Sequence, residues 1–286
     1  MYSLAALTFP AINPVAIEIG PIVVKWYGLA YMAGLLIGWW YVRRLLSTPA
    51  LWRGGLAPFG VERVDDLLLY MTFGVILGGR LGFVLFYEPG YYFANPHDIP
   101  AVWKGGMSFH GALLGSALAI FAFARRNGYS ALSTMDLCTA ANPIGLFFGR
   151  IANFINGELY GRVSDAPWAM VFPEAAKYHP DIEPATRHPS QLYEATLEGV
   201  LLFLALRLMT HRFGALKNPG LVTGAFVMGY GLARSLAEFF REPHEGHPLN
   251  IGPFTAGQFY SLPMILLGAW LIWRARANAA REKAVA

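Results

Sequence analysis

Seven apolar stretches recur along the chain, separated by loops rich in proline, glycine and charge: Tyr27–Tyr41, Leu67–Tyr87, Phe109–Ala124, Met135–Ile155, Leu192–Met209, Leu221–Phe240 and Thr255–Trp273. Each approaches the roughly 20 residues that an α-helix needs to cross a bilayer. Only 14% of the 286 residues are charged, and the mean hydropathy is +0.40. An average soluble domain is about 25% charged, so a soluble core with a solvated surface is excluded. The expected fold is an all-α polytopic membrane protein of about seven transmembrane helices, one integral domain over residues 1–286. The longest polar connection, residues 157–189, forms a small extracytoplasmic head insertion between spans four and five. Pro10, Pro14 and Pro21 argue against a continuous helix at the N-terminus, and the absence of a basic n-region there predicts mature protein rather than a signal peptide. A single cysteine, Cys138, rules out an internal disulfide framework and a multi-cysteine metal site.

The basic residues orient the bundle. Thirteen of them, Arg43, Arg44, Arg53, Arg63, Arg125, Arg126, Arg207, Arg212, Lys217, Arg274, Arg276, Arg281 and Lys283, fall on one side. Six, Lys25, Lys104, Arg162, Lys177, Arg187 and Arg241, fall on the other. The richer side faces the cytoplasm by the positive-inside rule, which puts the N-terminus outside and the C-terminus inside. The sequence pI of 9.2 therefore reads as topology and not as nucleic-acid binding.

Three arginines remain inside spans two, four and six: Arg80, Arg150 and Arg234. An arginine within a span is costly unless it is paired or faces a wet cavity, so each marks a functional site. Each lies 13 to 15 residues beyond the inner start of its span, or roughly 20 Å at a rise of about 1.5 Å per residue. All three are expected at one height in the outer half of the membrane. In span four, Asn142, Gly149, Arg150, Asn153 and Gly157 share a sector of about 100°. Ile144, Phe147, Phe148, Ile151, Phe154 and Ile155 lie opposite, as an expected lipid-facing stripe. In span six, Tyr230, Arg234 and Glu238 follow at i, i+4, i+8, so Arg234 can pair with Glu238. A structural ion pair would explain that couple alone. It would not explain Arg150, whose own helix offers no carboxylate before Glu158.

Other polar groups converge on the same layer. Tyr27 opens span one, His110 opens span three, and His188, Gln191 and Glu194 flank the start of span five. Guanidinium forks suit phosphate, and apolar walls suit acyl chains. Histidine titrates near neutrality and serves as acid or base. These residues point to an outer-leaflet phospholipid-handling protein, with an enzyme favoured. A lipid flippase or anion transporter would need a polar path continuing into the inner halves of the spans, where charges are few.

GRIANFINGELYGR (Gly149–Arg162) resembles the signature of bacterial prolipoprotein diacylglyceryl transferases. So do KWYG (Lys25–Gly28), LGGRLGFVLFY (Leu77–Tyr87), WKGGMSFHG (Trp103–Gly111), RHPSQLYE (Arg187–Glu194) and GYGLARSLAEFFREP (Gly229–Pro243). The blocks stand in family order over nearly the whole chain. One departure is Lys25, where many members have histidine. The resemblance implies a multi-pass enzyme of the bacterial inner membrane with its active site toward the outer leaflet. It moves the diacylglyceryl group of phosphatidylglycerol onto the lipobox cysteine of prolipoprotein signal peptides, releasing glycerol 1-phosphate. It implies no cofactor, no metal and no nucleic-acid partner. Carried onto this sequence, the important positions are Tyr27, His110, Arg150, Asn153, Glu158, Gly161, Arg234 and Glu238, with Arg80 and Tyr230 in support. His110, Arg150, Arg234 and Glu238 are read as catalytic. Tyr27, Arg80, Arg150, Asn153, Glu158, Gly161 and Tyr230 are read as substrate-binding. Cys138 is expected to be inert core, since the acceptor thiol belongs to the substrate.

Overall fold

The computed structural model describes residues 7–10, 12–179, 181, 184–243, 249–251 and 254–285. The side chain of Lys283, one of the basic residues used for orientation, lies outside what is described. A short strand, β1 (Leu7–Thr8), precedes a hairpin of β2 (Val15–Ile19) and β3 (Ile22–Lys25). The hairpin runs directly into α1 (Trp26–Leu46). Then come α2 (Val64–Phe86), the short helix α3 (Pro89–Ala94), α4 (Phe109–Arg126) and α5 (Ala131–Ile155). The head follows, carrying β4 (Met170–Val171) and β5 (Thr186–Arg187). The next rod starts as α6 (Ser190–Glu194), passes through a π-helical segment, Ala195–Leu201, and continues as α7 (Leu202–His211). The chain ends with α8 (Leu221–Ala237) and α9 (Ala256–Val285).

Each apolar stretch of the sequence is thus helical. The last helix continues to Val285 instead of stopping near Trp273. Val61–Phe86 and Ala256–Glu282 are long and apolar enough to cross a membrane, and Leu221–Ala237 is apolar but shorter. Helix α2 lies against α4 along a seam of small residues, Gly74, Gly78 and Gly82 facing Gly111 and Gly115. Such residues let backbones meet where greasy side chains give no preference for protein over lipid.

The apolar core sits at one end of the bundle. Tyr41, Leu45, Trp52, Phe59, Phe123, Leu137, Leu206 and Val222 pack there, where α1, α4 and α7 end and α5 and α8 begin. Asp136 is buried at the same end. Its carboxylate accepts from Gly220 N, Thr223 N and Thr223 Oγ1, each at 2.7 Å. It thereby caps the otherwise unpaired N–H groups that open α8. Cys138 lies two residues further along α5, against Met71 (Sγ–Sδ 3.8 Å), a packing contact in keeping with an inert thiol.

One expectation is overturned. The apolar stripe of span four does not face lipid, because α5 is the central helix, packed on α1, α4, α8 and the π-helical segment. None of Ile144, Phe147, Phe148, Ile151, Phe154 and Ile155 is exposed. Phe147 packs on Gly199, where an added Cβ would lie 2.7 Å from its own Cβ. Phe154 meets the rings of Phe9 and Phe172 at 5.4 and 6.3 Å. A wheel separates apolar from polar faces, but it does not say whether protein or lipid covers the apolar one.

The head is tied to the rest by a small sheet in the order β1-β4-β5, with β1 parallel and β5 antiparallel to β4. Tyr160, Phe172 and Ala175 form its own apolar cluster.

Candidate active site

The opposite end of the bundle is polar, and one carboxylate organises it. Glu194, at the end of α6 and fully buried, faces three arginines. Arg234 Nη1 and Arg241 Nη1 donate to its Oε1 at 2.7 and 2.8 Å, and Arg150 Nε lies 3.0 Å from its Oε2. Glu198, also fully buried, accepts from Arg150 Nε and Nη2 at 3.1 and 3.0 Å. Glu238 accepts from Arg234 Nη2, and its other oxygen takes the Thr255 hydroxyl at 2.6 Å. Three cations thus meet three carboxylates with no net charge. Isolated ions would not survive such burial, whereas a fully paired set can.

Local structure explains why the set meets. In the π-helical segment the winding is wider than in an α-helix, so Glu198 stays on the face of Glu194 four residues earlier. Gly199 then lets α5 come close enough for Arg150 to reach both carboxylates. On α8, the four-residue spacing of Arg234 and Glu238 puts them on one face.

The geometry is one-sided. The carboxylate side chains of Glu194, Glu198 and Glu238 are 0%, 0% and 5% exposed, whereas Arg150 and Arg234 are 16% and 18% exposed. The carboxylates hold the guanidinium groups from behind, and the outer edges remain accessible. A guanidinium carries five N–H donors, so Arg150 and Arg234 keep donors after these bonds are made. That is a pre-positioned fork for an oxyanion.

Around the cluster lie further expected residues. Asn153 Nδ2 donates to Glu158 Oε1 at 2.8 Å. Glu158 therefore orients Asn153. Gln191 Nε2 donates to the Glu158 backbone carbonyl at 2.7 Å, pinning that turn. The Tyr27 hydroxyl bonds Tyr31 at 3.1 Å and lies in the field of Arg150 and Glu158. Tyr230 sits in the field of Arg150 and Arg234. His110 is exposed at the start of α4, its ring 5.4 Å from that of Tyr260 on α9. Three residues earlier on α9, Gly257 packs against Glu238. His110 thus borders the cluster across α9 and makes no direct contact with its arginines among the described bonds.

Two expected ligands have other employment. Arg80 is 3% exposed and spends its guanidinium on backbone carbonyls. Nε donates to Ile99 at 2.7 Å, Nη1 to Gly105 and Gly106 at 2.6 and 3.2 Å, and Nη2 to Asp98 at 2.7 Å. It also stacks over Tyr92 at 4.9 Å. Arg80 organises the loop between α3 and α4 and does not join Arg150 and Arg234. Gly161 is hemmed in by protein: a Cβ there would lie 2.4 Å from Phe240 O and 2.6 Å from His188 O. Its N–H donates to His188 O at 2.9 Å. This glycine lets the head strand lie against the end of α8. Beside it, Arg187 is fully buried, donating to Glu242 Oε2 at 2.6 Å and stacking on Tyr160. His188 Nδ1 lies 3.0 Å from Tyr193 Oη, and burial pushes its imidazole below the usual range.

A family model described as prolipoprotein diacylglyceryl transferase matches residues 14–274. The chain belongs to the prolipoprotein diacylglyceryl transferase family. A relative in Rhizobium meliloti (strain 1021), described as a phosphatidylglycerol–prolipoprotein diacylglyceryl transferase, is 54% identical over 97% of both chains. Relatives with the same description in Brucella canis and Allorhizobium ampelinum are each 51% identical. The first covers 97% of both chains, and the second covers 95% of this chain and 93% of its own. Within this diacylglyceryl transferase, the positions that sequence reasoning passed over are Glu198 and Arg241. Glu198 had a visible signal, a second carboxylate one turn after Glu194 inside an apolar run. Arg241, grouped with the outer-loop cations, gave none.

Proposed function

We propose that the chain transfers the diacylglyceryl group of phosphatidylglycerol to the thiol of the lipobox cysteine of a prolipoprotein. The acceptor thiolate attacks the glycerol C3 carbon, a C–S bond forms, and the C–O bond to phosphate breaks. Glycerol 1-phosphate leaves, and the thiol proton passes to a base. The product is a thioether, and the reaction is the first step of lipoprotein maturation.

The observation that carries this reading is the pair of partly exposed arginine side chains, Arg150 and Arg234, held from behind by buried Glu194, Glu198 and Glu238. They hold the lipid phosphate and stabilise the charge that grows on the leaving group. Asn153, fixed by Glu158, and Tyr27 and Tyr230 position the headgroup. His110, at the rim, takes the thiol proton, since the thiolate is the nucleophilic form. The transmembrane arrangement belongs to the same reading. The seven long helical segments cross the bacterial inner membrane, the N-terminus lies outside and the C-terminus in the cytoplasm. The residue 157–189 head and the active site lie at the outer leaflet. The charge asymmetry supports the orientation, and the apolar core at the inner end leaves the polar cluster at the outer one.

The test is transfer by the purified chain from phosphatidylglycerol to a lipobox peptide. A thioether adduct should appear in step with glycerol 1-phosphate. Release of glycerol 1-phosphate without adduct, or no transfer at all, would overturn the assignment.

A further inference from the structure

The hairpin β2–β3 has no role in the chemistry above, yet it is built unlike a solvated loop. Ile17, Ile19, Ile22 and Val23 are 48%, 69%, 62% and 48% exposed, on both faces of the ribbon. The two strands form a sheet by themselves, and no other described strand pairs with either. A lone two-stranded ribbon is marginal in water and is completed by a further strand or a packed surface.

Its backbone says which. Ile19 pairs with Ile22 across a two-residue turn, Glu18 with Val23, and Ile17 with Val24. In an antiparallel ladder the pairs alternate. With Ile19–Ile22 and Ile17–Val24 exchanging bonds, Glu18 and Val23 turn their N–H and C=O groups outward. Immersion in hydrocarbon would leave those groups unsatisfied. A polypeptide strand satisfies them and covers the isoleucines as well.

Position favours the same partner. β3 ends at Lys25, and Tyr27, in the field of Arg150 and Glu158, follows two residues later. A strand laid beside Val23 is four residues from Tyr27 along the chain, at most about 13 Å of backbone. A polypeptide is one of the two substrates of the proposed reaction. We propose that the hairpin is the docking edge for the acceptor: an extended apolar segment flanking the acceptor cysteine adds to it as a third strand and delivers the thiol to the arginine cluster. This inference rests on the transfer reading above.

The test uses the full chain in phosphatidylglycerol nanodiscs, in a Cys138→Ser background. A single cysteine is placed at Val23 by V23C. The probe is a lipobox peptide with its acceptor cysteine replaced by serine and one cysteine moved stepwise along the flanking residues. Disulfide yield under a mild oxidant should alternate between successive peptide positions, the signature of strand pairing. Kinetically, Val23→Pro deletes one outward N–H and should raise the acceptor KM about ten-fold, the scale of one lost hydrogen bond. The KM for phosphatidylglycerol should not move, and Val23→Ala, which keeps the N–H, should match the parent on both. Flat or absent cross-linking, or an acceptor KM unchanged by Val23→Pro, overturns the proposal. So does an Ile22→Trp probe quenched by spin-labelled lipid regardless of added peptide, which would make the hairpin a membrane anchor. If the parent chain performs no transfer, it is the functional reading that fails.

Discussion

Arg150 on α5 donates through both Nε and Nη2 to a single oxygen of Glu198, at 3.1 and 3.0 Å, across the contact between α5 and the π-helical segment. Glu198 is fully buried, so its charge is meaningful only with that partner. Glu198→Ala should cost about 3–5 kcal/mol of stability, as expected when one side of a buried pair is removed. Transfer should fall with it. The double change Arg150→Met with Glu198→Met should recover much of the stability, since no charge is left stranded, but none of the transfer. Thermal unfolding and adduct formation, measured on the same preparations, check both halves.

Arg80 gives the opposite pattern. Its donors hold carbonyls of residues 98, 99, 105 and 106. Arg80→Lys keeps the charge but loses the fork geometry. It should loosen the loop between α3 and α4, making that loop the first site of proteolytic nicking. The KM for phosphatidylglycerol should stay within about two-fold of the parent, a difference of under ~0.5 kcal/mol. A large rise in lipid KM with the loop still protected would restore Arg80 as a phosphate ligand.

Gly161→Ala should separate the head from α8. The added methyl has no room beside Phe240 O and His188 O, and overpacking of this kind costs about 1–3 kcal/mol. Hydrogen exchange should speed up at residues 160–164 and 240–242 together, because the two segments bond each other. Exchange confined to one segment would show that they are not coupled there.

The loop between α3 and α4 also carries a pH dependence. Bonds from Lys104 Nζ and the Tyr91 hydroxyl hold the Asp98 carboxyl below its usual range. A depressed folded-state value means that the stabilisation is present above the unfolded value, about pH 4. It is lost as pH falls through the lower folded value. Protection of the loop amides around residues 98–105 should therefore fade on acidification, and Asp98→Asn should remove that dependence. Equal acid sensitivity in the variant would assign the effect to another group.

The helices and part of the candidate cluster were legible in the sequence, for a physical reason. Hydropathy and intrahelical spacing are local, so the apolar spans and the Tyr230–Arg234–Glu238 face could be read directly. Partners across helices could not. Arg150 looked unpaired because its own helix has no nearby carboxylate, while its partners come from α6 and the π-helical segment. Arg80 looked equivalent to Arg150 and Arg234 by height alone. Its partners are backbone carbonyls, which no residue pattern displays. The stripe on α5 was correctly apolar but wrongly given to lipid, because periodicity records sidedness and not the identity of the neighbour.

The most direct measurement is the steady-state dependence of transfer on phosphatidylglycerol for Arg150→Lys, with a saturating acceptor peptide. Lysine preserves a positive charge but cannot serve the carboxylates and a phosphate at once. The expected result is a loss of kcat/KM for the lipid of about 10²–10³, the scale for removing one preorganised donor to developing charge, with the acceptor KM unchanged. Full transfer with an unaltered lipid KM would contradict a phosphate held by Arg150.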